Sequence, residues 1–87
     1  MSVLFTRSAS RHHISQARAL YVLGHYIWTL EAKNKMTFYV GPDRNGIDLE
    51  IATAPGRVNS SDIYVVHAMR LSAKLKVEYQ RRLGQRK

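Results

Sequence analysis

Residues 64–79 read YVVHAMRLSAKLKVEY. Tyr64, Val65 and Val66 have the aromatic and β-branched character of a buried strand. Leu71, Leu75 and Tyr79 then recur four residues apart, which is one row of a helix surface. The stretch therefore predicts a strand over 62–69 running directly into a helix over 71–83. His67 lies inside the strand run, and Arg70, Lys74 and Lys76 follow it. A core strand needs neither an imidazole nor a run of cations, so this segment carries both the C-terminal architecture and the first candidate site.

Toward the N-terminus, Ile47–Thr53 alternates Ile47, Leu49 and Ile51 against Asp48 and Glu50, the pattern of a strand with one wet face. Lys35–Val40 (KMTFYV) and His25–Glu31 (HYIWTLE) read as two further strands joined by the turn AKNK. GPDRNG, residues 41–46, and APGRVNSS, residues 54–61, are loops. HISQARALYVLG predicts a helix, with Ile14, Ala17, Leu20 and Tyr21 at helical spacing and Gly24 just past its end. RSASRHH is a polar loop. Residues 1–10 hold either a short edge strand, SVLFT, or a frayed end. The order is helix, four strands through short loops, helix. Strands joined by short loops are antiparallel. The expected fold is thus α+β: an N-terminal helix, a four-stranded antiparallel sheet and a C-terminal helix, with both helices on one side and the other side or one end open to a ligand. The whole chain, 1–87, reads as a single domain with a basic tail at 84–87.

Composition narrows the function classes. An 87-residue chain with 45% apolar residues is one small folded domain with a thin core. No apolar run reaches the roughly 18 residues of a membrane span. The start MSVLFTRSASRHH has charges too early, and an apolar stretch too short, for a secretory signal. There is no cysteine, so disulfides and thiolate metal sites are excluded and a reducing cytoplasm is the default compartment. Fourteen Lys and Arg stand against six Asp and Glu. From Arg70 to the end there are seven basic residues and one acid, Glu78. Such a field favours a polyanion or an acidic protein partner.

The stretches RHHISQARAL, DLEIATA and DIYVVHAMRLSAKLKVEY, over residues 11–80, resemble the BrnT-like toxins and the wider RelE-type group of small bacterial toxins. The resemblance rests on an opening helix behind a His, and on a hydrophobic strand leading through a small and a basic residue into a short helix ending in Tyr. It implies a RelE/BrnT-like fold and the toxin of a type II toxin–antitoxin system. The implied activity is a metal-independent endoribonuclease that cuts mRNA, on or off the ribosome, with no cofactor. The implied partners are the mRNA and an antitoxin, acidic or amphipathic, through which alone operator DNA would be contacted. The chain departs from the family pattern at His67, where BrnT-like closing segments usually carry Arg or Lys.

RNA cleavage without metal needs a base for the 2′-hydroxyl, cations for the charged phosphorane and an acid for the leaving oxygen. His67 can supply proton transfer, and Arg70 and Lys74 can supply charge. Glu50, on the wet face of its strand, is a second candidate base. Period-two counting puts His67 on the face of Ile63, Val65 and Met69, where a satisfied core histidine is an equal reading. Arg44, Arg57, Lys76, Arg81 and Arg82 are candidate phosphate contacts, each also readable as a solvated surface charge. Tyr79 reads as core. Trp28, Phe38 and Tyr39 are core or partner-facing, although an open aromatic among cations could stack a base. His12 and His13 are a pair without an acid three or four residues away, so no metal site is expected. His25 is expected to open the first strand. The alternative reading is a non-catalytic RNA- or ribosome-binding module, or a degenerate toxin acting only through protein contacts.

Overall fold

The computed structural model describes residues 2–56 and 61–84. It is an α+β structure with five strands: β1 (Val3–Phe5), β2 (Trp28–Glu31), β3 (Thr37–Pro42), β4 (Asp48–Pro55) and β5 (Ile63–Arg70). Helix α1 spans Gln16–His25 and α2 spans Ala73–Gly84. The strand order is β1-β5-β4-β3-β2. β2 through β5 are antiparallel neighbours, as expected. The sheet gains a fifth strand because β1 pairs in parallel with the first half of β5, Val3 opposite Ile63 and Phe5 opposite Val65. The sheet is therefore mixed rather than purely antiparallel.

Helix α1 starts at Ser15, whose hydroxyl accepts the Arg18 N–H at 3.2 Å. Such a cap typically contributes about 1 kcal/mol. The helix runs through Gly24 to His25, so His25 does not open β2 and its Nδ1 instead lies 2.9 Å from the Tyr21 carbonyl. Ala19 and Val22 are its fully buried residues, while Ala17 is exposed and Leu20 is 45% exposed. The buried stripe is thus rotated from the one read off Ile14, Ala17 and Leu20. The small Ala19 allows close approach to the sheet, where Leu49, Ile51, Val65 and Ala68 complete the larger core.

The two helices lie on opposite faces of the sheet, not on one side. Val40 pairs with Glu50 across β3 and β4, so both face away from Leu49 and Ile51. Tyr79 of α2 packs on that second face against Trp28 and Val40, with Leu71 at the margin. Leu83 is 38% exposed and Val77 59% exposed, so α2 buries a shorter row than its leucine spacing implied.

One irregularity decides the site. Ala52 pairs with His67 but Thr53 pairs with Val65, so Val66 is an extra residue in β5. A bulge of this kind breaks the alternation of side chains along the strand. Val65 consequently faces the α1 core, and His67 faces the opposite side. The expectation that His67 shares a face with Val65 is corrected by this register.

Candidate proton-transfer site

Glu50 is buried, with 4% of its surface exposed, at the centre of β4. An isolated buried carboxylate is costly, so its partners matter. Oε1 accepts the Ser72 N–H at 2.7 Å. Oε2 lies 3.0 Å from His67 Nε2. Ser72 in turn caps α2, its carbonyl accepting from Lys76 N–H at 2.9 Å and its hydroxyl from Leu75 N–H at 3.4 Å. Glu50 thus does from a strand what the acid of a capping box does from within its own helix. Its second oxygen orients the imidazole. With the Nε2–H donating to the carboxylate, the neutral ring carries its lone pair on Nδ1. Among the described residues Nδ1 has no hydrogen-bond partner.

The ring's surroundings follow from the register. Phe38, Ala52 and His67 are cross-strand neighbours in one row. Ala52 is small and fully buried, which lets the rings on either side approach over it. Phe38 and His67 meet edge-on with centroids 6.0 Å apart. His12, from the loop before α1, meets His67 edge-on at 5.7 Å. That loop is anchored at the bulge: the Ser8 hydroxyl donates to the Val66 carbonyl at 2.9 Å, and Thr6 N–H donates to the Val65 carbonyl at 3.0 Å.

The sequence candidates divide accordingly. His67 and Glu50 come together. Arg70 pairs with Leu49, which places it on the α1 face, the side of the sheet away from His67. Lys74 and Lys76 are exposed on the first turn of α2, the turn that Ser72 fastens to Glu50. Arg81 is held by Glu78 at 3.0 Å, and Arg82 is exposed in the last turn of α2. Arg44 stacks over the Tyr21 ring at 4.8 Å, on the α1 side of the molecule. Arg57 lies outside the described residues, as do Arg86 and Lys87 of the basic tail.

His12 and Phe38 are the site residues that sequence reasoning did not join to His67. The pairing of two histidines was visible, but only as a weak metal signal. Among the described residues no three His, Asp or Glu side chains converge as a metal-binding group.

A second buried acid is structural. Asp43 Oδ1 accepts the N–H groups of Asn45 and Ile47, and Oδ2 takes both Arg18 Nε and Nη2 at 2.9 Å. The Ile47 amide foremost, with the Asn45 amide and Arg18, holds this carboxyl below its usual range against the opposing effect of burial. The β3–β4 turn is thereby tied to α1.

Comparison of the chain with protein-family models, with characterised proteins and with solved structures finds no match. Among the described residues no helix is long and apolar enough to cross a membrane.

Proposed function

We propose that the protein is a metal-independent endoribonuclease, acting in the cytoplasm as the toxin of a type II toxin–antitoxin pair with a RelE/BrnT-like fold. The observation that carries this reading is the Glu50–His67 pair, a partly exposed imidazole oriented by a buried carboxylate, on a chain of net charge +8. His67 Nδ1 removes the proton from a 2′-hydroxyl, and Glu50 stabilises the imidazolium that forms. The 2′-oxygen attacks the adjacent phosphorus and the bond to the 5′-oxygen breaks. Lys74 and Lys76, exposed on the first turn of α2 that Ser72 fastens to Glu50, supply charge to the phosphorane. Phe38 offers a ring on which a base can stack.

One observation favours a second reading. Both Glu50 oxygens are engaged, one of them in capping α2, so the pair also works as a purely structural fastener. The protein would then bind RNA through its basic surface without cutting it. Expression alone in a bacterium, with transcript mapping, separates the two. The proposed toxin arrests growth, leaves new transcript ends and is rescued by a small acidic partner. Normal growth at verified soluble expression refutes it.

A further inference from the structure

We propose that His12 is the general acid that works with His67, an inference that rests on the ribonuclease reading above. Three features place it there. Its ring meets that of His67 edge-on with centroids 5.7 Å apart, so the two imidazoles border one patch that a single phosphodiester can span. Among the described residues neither His12 ring nitrogen nor His67 Nδ1 has a hydrogen-bond partner. The backbone behind His12 is constrained. His13 adopts φ 60, in the left-handed region that non-glycine residues seldom occupy. Its N–H donates to the Ser10 carbonyl at 3.1 Å, while Ser8 pins the preceding turn to the bulge beside His67. The bulge thus serves the site twice, turning His67 onto the second face and giving the His12 loop a carbonyl to hold.

The step balances without an added reactant. His67 takes the 2′-hydroxyl proton as the bond from the 2′-oxygen to phosphorus forms. The bond from phosphorus to the 5′-oxygen breaks, and the His12 imidazolium gives its proton to that oxygen. The products are a 2′,3′-cyclic phosphate and a 5′-hydroxyl, with the two histidines left in exchanged protonation states.

The test compares two substrates whose leaving groups differ in their need for an acid. One is an RNA dinucleotide, and the other is a nucleoside 3′-(4-nitrophenyl phosphate), whose phenolate departs unprotonated. His12→Ala and His12→Gln should slow the dinucleotide by about 100-fold or more, yet cleave the aryl ester close to the wild-type rate. His67→Gln should slow both. His25→Gln, at the C-terminal end of α1 where the ring stacks on Tyr21, should slow neither. Equal losses on the two substrates, or undiminished RNA cleavage by both His12 variants, would overturn the role of His12 while leaving the ribonuclease reading intact. If the wild type cleaves neither substrate, the ribonuclease reading itself falls and this inference with it.

Discussion

Replacing Glu50 by Gln exchanges one oxygen for an NH2 group and keeps the shape of the side chain. The Ser72 N–H, 2.7 Å from Oε1, needs an acceptor, so the amide oxygen must stay there. The NH2 group then faces His67 Nε2, which lies 3.0 Å from Oε2 in the parent. Two N–H donors cannot oppose each other, so Nε2 becomes the acceptor and the ring proton moves to Nδ1. The lone pair that would take the 2′-hydroxyl proton is gone. Two bonds to a charged group, worth about 1.5–3 kcal/mol each, become neutral bonds worth about 0.5–1.5. The net loss is about 2–3 kcal/mol, a fall in Tm of roughly 10–20 °C for a domain of this size. Cleavage should drop by about 100- to 10,000-fold, because the imidazole is held in the wrong tautomer. Single-turnover cleavage of a defined RNA, below the variant's Tm and with melting measured in parallel, reads both effects. A variant that melts lower but cleaves at the parental rate would show that Glu50 only fastens α2 and that the tautomer argument is wrong.

Three further outcomes follow from the geometry. A Cβ on Gly41 would lie 3.2 Å from Ile27 N and from Tyr26 Cα, backbone atoms that cannot rotate away. Gly41→Ala should therefore cost about 1–3 kcal/mol, and an unchanged melting temperature would contradict the close approach. Asp43 has a folded pKa below its ordinary value of 3.8. Its contribution is present above that value and is lost as pH falls through it toward the folded pKa. Melting curves of the parent and Asp43→Asn should thus converge below pH 3.8, and a gap that stays constant with pH would refute this. RNA binding by the inactive His67→Gln variant should weaken with salt. The slope of log affinity against log salt should be about −3 to −4 if roughly four to six cations meet phosphates, and a flat response would remove RNA as the ligand.

The strands β2 to β5 and both helices were legible because hydrophobic periodicity is local. What escaped was long-range or irregular. The pairing of β1 with β5 joins residues about sixty positions apart, Val3 to Ile63, and three residues of SVLFT carry no sign of their partner. The extra residue Val66 has the same β-branched character as Val65, so nothing local marks a bulge there. Counting by twos through it put His67 on the face of Val65, which the register places on the opposite side of the sheet. Glu50 and His67 were each visible as candidates, yet their meeting depends on the β4–β5 register. His12 reaches the site only through the anchoring of its loop by Ser8, a tertiary contact. Gly24, read as a helix stop, lies inside α1 with open space around it, so no contact forces the chain to turn there.

The most direct test of the central claim is end-mapping of a defined RNA after incubation with the purified protein in excess chelator, beside the His67→Gln variant. The account predicts fragments ending in 2′,3′-cyclic phosphate and beginning with 5′-hydroxyl, formed by the parent and reduced about 100-fold or more by the substitution. Intact RNA with the parent, or equal cleavage by a His67→Gln protein that melts lower, would contradict it and leave His67 as a structural partner of Glu50.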